Sequence, residues 1–274
     1  MKVDDRPDYC DINLGRKREG VLRFKEKDED GFEYESKLMC HDALAAEFFA
    51  HMKLPYDTIG FHKKYAITKD KTIVWADDKR IPDEQCSLQF KGGFFLQPDW
   101  REQMKSAMGF IKAKIAERKI LMIHATRYDR RLLFQVDDEQ KFYKALHRVD
   151  WGLLVGHARL EKGHWSGFEA NHTRLEVDYY NKQKQIIAKK KDDPFYYPRF
   201  LKMIGKTEVP PNLMNVDFRI RQKDQTKEIT RLLLEDEIDY DAINKEVASL
   251  VADRVTFTPA LKKIMGFDGK PHQK

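Results

Sequence analysis

The sequence predicts an α+β fold, with a central, mostly antiparallel sheet, a long amphipathic helix at about 98–118 and a helical C-terminal section. Three observations carry that expectation. In mid-chain, Leu175, Val177 and Tyr179 alternate with Arg174, Glu176 and Asp178, the period of a strand with one buried face. Trp100, Met104, Met108, Ile111 and Ile115 recur at helical spacing and would line one face. Helical spacing returns near the end, in Ile229, Leu232 and Leu233 and again in Ile243, Val247, Leu250 and Val251.

Taken in order, Val21 to Phe24 and Phe32 to Glu35 flank the acidic turn Asp28-Glu-Asp-Gly31 and predict a hairpin. Leu44, Ala45, Phe48, Phe49 and Met52 form a helical stripe ended by Pro55, whose ring and missing amide hydrogen stop a helix. Thr72 to Ala76 and the stretch around Leu88 and Phe90 read as strands. After the 98–118 helix, Lys119 to Thr126 and Arg131 to Val136 predict two strands separated by Tyr128-Asp-Arg, with a helix opening at Asp137-Asp138-Glu139. Four further strands follow, at 153–160, 163–170, 173–180 and 183–190. A short helix at 194–204, a strand carrying Val216, Phe218 and Ile220, helices at 226–234 and 239–254, and a last short helix between Thr258-Pro259 and Gly266 complete the chain. There is no internal repeat or low-complexity linker. The expected organisation is a mixed core over 1–210 and a helical section over 211–274 within one domain, with Pro210-Pro211 as the boundary.

Of 274 residues, 41% are hydrophobic and 35% charged, enough for a core under a very polar shell. The net charge of +6 is a small excess of 51 basic over 45 acidic side chains, so a nucleic-acid role would depend on where cations cluster. Cys10, Cys40 and Cys86 fit neither a disulfide framework nor a metal knuckle, and no apolar run is long enough to span a bilayer. A cytoplasmic protein without membrane contact is expected.

Five of the nine histidines, His124, His147, His157, His164 and His172, fall in one stretch among arginines. Two of them have an interpretable neighbour. His124-Ala-Thr126 and His164-Trp-Ser166 each put an imidazole and a hydroxyl on the same side of a strand, so one could move a proton while the other holds a phosphate oxygen. In local form the pair resembles the strand-borne His-x-Thr/Ser units of two-histidine phosphoesterases, which implies His124, Thr126, His164 and Ser166 as catalytic residues for metal-free phosphodiester cleavage. Tyr179-Tyr180-Asn181-Lys182 offers another arrangement, a tyrosine that attacks DNA and a lysine that balances its charge. Tyr179, on the apolar side of the alternation, is better read as core. His157, His164 and His172 with Glu176 or Asp178 have no metal-site spacing, so no metal ligand is assigned and no cofactor is identified from the sequence.

The best-populated signal is nucleic-acid binding. Arg127, Arg130, Arg131, Arg174, Lys182 and Lys189 are the candidate phosphate contacts, and Tyr128, Trp165, Tyr179, Tyr196 and Tyr197 stand nearby as stacking surfaces. The expected function is a protein that binds DNA or RNA, with phosphodiester cleavage by the paired histidines if it is an enzyme. The alternative is a noncatalytic structural or assembly protein whose charges serve solvation.

Overall fold

The computed structural model describes residues 2–16, 22–27, 33–38, 41–59, 65–76, 85–152, 154–161, 164–172, 174–190, 196–221, 223–252, 255, 256 and 259. Along the chain run strand β1 (Lys2–Arg16), β2 (Leu22–Lys27), β3 (Glu33–Leu38), helix α1 (His41–His51), β4 (Tyr56–Ile59), β5 (Tyr65–Thr68), β6 (Ile73–Ala76) and β7 (Gln85–Phe90). Next come α2 (Trp100–Ala116), β8 (Ile120–Gln135), α3 (Glu139–Leu146), β9 (Val155–Glu161), β10 (His164–His172) and β11 (Leu175–Asn181). The chain continues with α4 (Lys182–Lys189), α5 (Tyr196–Ile204), β12 (Leu213–Ile220), α6 (Lys223–Leu233) and α7 (Tyr240–Ala252). The α+β class, the antiparallel sheet, the amphipathic helix and the helical C-terminal section are all present.

Two compact units divide these elements: residues 12–89 with 101–124, and residues 1–11 with 90–100 and 125–274. In the first, Phe48 of α1 packs on Trp75 of β6 and Phe110 of α2, at ring distances of 5.4 and 5.5 Å. The β2–β3 hairpin forms as expected, in register from Leu22↔Leu38 to Lys27↔Glu33, and its turn lies outside the described residues. So do the Asp77-to-Arg80 turn and the expected helix beyond Thr258.

In the larger unit the strands run β1, β8, β12, β11, β10, β9, and β8 to β9 are joined antiparallel at every step. One face is apolar. Leu132, Phe134, Val216, Phe218, Val177, Tyr179 and Phe168 are buried there, with Phe142 of α3 against Phe134 at 5.3 Å and Trp151 stacked on Phe168 at 5.0 Å. Burial of each such ring contributes about 1.5–3 kcal/mol. Helices α6 and α7 bury Ile229, Leu233, Ile243 and Val247, and Thr230 Oγ1 accepts the Ala125 amide at 2.8 Å. The opposite face is apolar only at one end, where α4 and α5 cover Leu133 and Leu213 with Ile186 and Phe200.

Two local expectations differ from the structure. Tyr128-Asp-Arg is not a break: β8 runs through it, because Tyr128, Asp129 and Arg130 are buried and pair with Ile220, Arg219 and Phe218. The expected strand at 183–190 is instead helix α4, since the Asn181 side chain accepts the Lys184 amide at 3.0 Å and caps it. Lysine, glutamine and alanine then favour the helix once it is started.

Candidate functional site

The β8, β12 and β11 register places Arg127, Asp129, Arg131, Arg219, Asp217, Asn215, Glu176, Asp178 and Tyr180 on one face of the sheet. Most of this charge neutralises itself. Arg159 pairs with Asp178, and Arg219 bridges Glu176 and Asp129. Arg127 grips Asp129 through Nε at 2.8 Å and Nη2, its guanidinium 4.2 Å from the Tyr9 ring. Gly167 makes room for the first of these pairs, because a Cβ there would lie 2.7 Å from Arg159 Nε.

Where this ladder meets α4 and α5, the pairing becomes incomplete. Arg131, 0% exposed, binds Asp8 of β1 and lies 3.9 Å from Asp4 Oδ2. Beside it, Tyr180 Oη donates to Asp217 Oδ2 at 3.1 Å. Lys182, 2% exposed at the first position of α4, reaches back to Tyr180 Oη at 3.3 Å and to Gln185 Oε1 at 2.7 Å. Asp217 Oδ1, both amide atoms of Asn215, Arg131 Nε and Asp4 Oδ2 are buried with no hydrogen-bond partner among the described residues. A buried polar group costs about 1–3 kcal/mol unless a water or a ligand meets it, which makes this cluster the candidate site.

Electrostatics single out the same residues. Burial, with the Asp8 charge, pushes the Asp217 carboxyl up to about 7 against the opposing pull of Lys182. Burial lowers the Lys182 ammonium to about 8, although Asp8 works the other way. Burial and the Asp217 and Asp8 charges raise the Tyr180 hydroxyl well above its ordinary value, so the resting group is a neutral phenol. Burial alone would raise Asp8, but Arg131, assisted by Lys182, Lys189 and Arg127, holds it below the usual carboxylate value. A phenol between a carboxylate that titrates near neutrality and a cation that titrates just above it can lose its proton to the first while the second steadies negative charge.

The residues expected from sequence are distributed differently. Thr126 and Ser166 lie on strands separated by β12 and β11, and the register sets them about eight residues apart along the strand axis, ~27 Å. The two hydroxyls therefore do not converge. Thr126 Oγ1 donates to Asp11 O at 3.4 Å and Ser166 Oγ to Arg159 O at 3.2 Å, both structural roles. His124 is half-buried on β8, and His164 opens β10, its side chain outside the described residues. Among the proposed phosphate ligands, Arg127 and Arg131 are engaged in the pairs above. Arg130 projects from the other face, where it binds Asp5 at 2.7 and 2.8 Å and Asn244 O at 3.2 Å. Arg174 is exposed in the β10–β11 turn, apart from this site, while Lys182 is in it and Lys189 is exposed beside it on α4. Tyr179 is core, as its alternation implied. Asp8, Asn215 and Asp217 were not singled out from sequence. The only signal for Asp217 was its place on the polar side of the β12 alternation. No three of the described His, Cys, Asp or Glu residues gather in a metal-holding arrangement, and no described helix is long and apolar enough to cross a membrane.

No protein-family model matches the sequence, and no curated protein matches it. The fold itself is matched. A solved structure of a rolling circle replication initiator protein from Geobacillus stearothermophilus is similar, with a TM-score of 0.51 over 93% of this chain and 86% of that one, at 10% identity. At that identity the likeness concerns architecture alone.

Proposed function

We propose that this protein binds DNA and cleaves a phosphodiester by transesterification on Tyr180. The observation that carries the proposal is the position of the Tyr180 hydroxyl, within hydrogen-bond distance of both Asp217 and Lys182, with Arg131 on the far side of β12. The similarity in fold to a replication initiator favours DNA over RNA as the substrate.

In this reading Asp217, ionised, accepts the phenolic proton as Tyr180 Oη attacks phosphorus. A phosphotyrosine bond forms and the bond from phosphorus to one sugar oxygen breaks. Lys182, protonated, balances charge on the attacking oxygen and the phosphoryl group, and the departing oxygen takes its proton from solvent. No net hydrolysis occurs, so attack by that oxygen on the phosphotyrosine reverses the step. Arg131 acts indirectly, fixing Asp8 and contributing a permanent positive field.

The test uses labelled single-stranded and duplex oligonucleotides with the full chain. Binding should weaken as salt rises, since phosphate contacts release counterions, and a detergent-resistant protein–DNA adduct should form with wild type and not with Tyr180→Phe. Absence of binding at low salt refutes the DNA reading, and cleavage that survives Tyr180→Phe refutes the tyrosine.

A further inference from the structure

The charged ladder on the sheet face cannot account for phosphate attraction, because each of its arginines is matched by a carboxylate. Cations gather on α4 and α5. Neither helix contains an acidic residue, and Lys184, Lys189, Lys190 and Lys202 are all exposed, with Lys184 given to a carboxylate, Glu139 at 2.9 Å.

This surface also carries aromatic rings in register with the cations. Lys189 Nζ lies 5.0 Å from the Tyr196 ring and Lys190 Nζ 4.6 Å from the Tyr197 ring. Both tyrosines are half-buried, and Tyr196 is braced from below by Phe200, nearly parallel at 17°. Ile187, 55% exposed, adds an apolar surface one turn before Lys190. The platform is continuous with the Tyr180 cluster, because Lys182 is 3.3 Å from Tyr180 Oη and 6.0 Å from the Tyr196 ring.

We infer that α4 and α5 form a strand-binding platform on which unpaired nucleobases stack on Tyr197 and Tyr196 while Lys189 and Lys190 turn outward to neighbouring phosphates. A cation over an exposed ring is a weaker interaction than a base stacked on that ring. An incoming base therefore displaces the lysine without net loss, and the released ammonium gains a phosphate. Duplex bases are already stacked and cannot make the exchange, so the platform selects single strands. A membrane surface fits less well, since among the described residues one exposed isoleucine offers too little apolar area for insertion. The inference extends the DNA-binding reading above and rests on it.

The experiment compares wild type, Tyr197→Ala and the double variant Lys189→Ala/Lys190→Ala, each also in a Tyr180→Phe background so that binding is read without cleavage. The probes are a fluorescent single-stranded oligonucleotide, its duplex, and vesicles of mixed neutral and anionic lipid. Tyr197→Ala should weaken single-strand binding by about 5- to 150-fold, the worth of one stacked base, with its salt slope and duplex binding unchanged. The lysine double variant should lower the single-strand salt slope by about 1.4, at about 0.7 per phosphate contact. If Tyr197→Ala and the double variant bind single strands as wild type does, the platform is wrong while DNA binding stands. If wild type binds neither oligonucleotide but binds the vesicles, both readings fall. Circular dichroism of Tyr197→Ala and the conservative Tyr197→Phe, which retains the stacking face and should bind normally, separate loss of stacking from loss of fold.

Discussion

Replacing Arg131 by methionine keeps an unbranched apolar stem and deletes the charged guanidinium. Arg131 is 0% exposed and stands between Asp8 and Asp4, so Arg131→Met leaves two carboxylates adjacent with their central cation gone. Breaking a buried pair from one side costs about 3–5 kcal/mol. Asp8 keeps some solvent exposure and retains Lys182 nearby, which places the cost near the lower end, about 3 kcal/mol. In a chain of this size that is a fall in Tm of roughly 6–12 °C. The pH dependence gives the assay its sign. In wild type the folded-state pKa of Asp8 is depressed, so its contribution is present above the unfolded carboxylate value and is lost as pH falls through the folded one. Without Arg131 burial prevails, Asp8 is raised instead, and the variant's deficit should shrink from pH 8 to pH 5. Adding Asp8→Asn should recover at least half of the loss. Urea unfolding of wild type, both single variants and the double variant completes the cycle. A deficit below about 1 kcal/mol at pH 8, or additive single effects, would refute the internal pairing.

The remaining predictions concern α4, titration and the histidines. Asn181→Ala removes the α4 cap and should cost about 1 kcal/mol in urea unfolding, and because Lys182 begins that helix, the rate of adduct formation should fall as well. Adduct formation should rise as pH passes about 7, where Asp217 ionises, and fall above about 8, where Lys182 loses its proton; Asp217→Asn should abolish the acidic limb in a pH–rate series. For stability Asp217 has the opposite sign to Asp8: its raised folded pKa makes its contribution present at low pH and lost as pH rises through about 7, so Asp217→Asn should flatten the unfolding free energy across that range. His124→Ala and His164→Ala should leave DNA cleavage intact, whereas a drop of ~100-fold or more, the cost of removing a general base, would restore the histidine mechanism.

Local patterns explain which parts of the molecule were legible beforehand. Helices α2, α6 and α7 announce themselves because one-sided burial imposes a period that few other structures share. The β11 alternation was equally clear, and it assigned Tyr179 to the core correctly. β8 was misread because its polar face carries Arg127, Asp129 and Arg131, and charges that close on one another across strands look like a turn in one dimension. The same masking hid the site. Asp8 meets Arg131 from more than a hundred positions away, and Asp217 meets Tyr180 across 37, distances that no motif spans. Conversely, the His-x-hydroxyl pattern carries no information on distance: Thr126 and Ser166 sit on strands separated by β12 and β11.

The central claim is that the Tyr180 oxygen carries the covalent step. Incubating the full chain with a labelled single-stranded DNA, digesting the product with protease and sequencing the DNA-linked peptide by mass spectrometry tests it most directly. The account predicts one modified peptide, with the nucleotide on Tyr180, and none from Tyr180→Phe. Linkage to any other residue, or strand cleavage without a linked peptide, would contradict it.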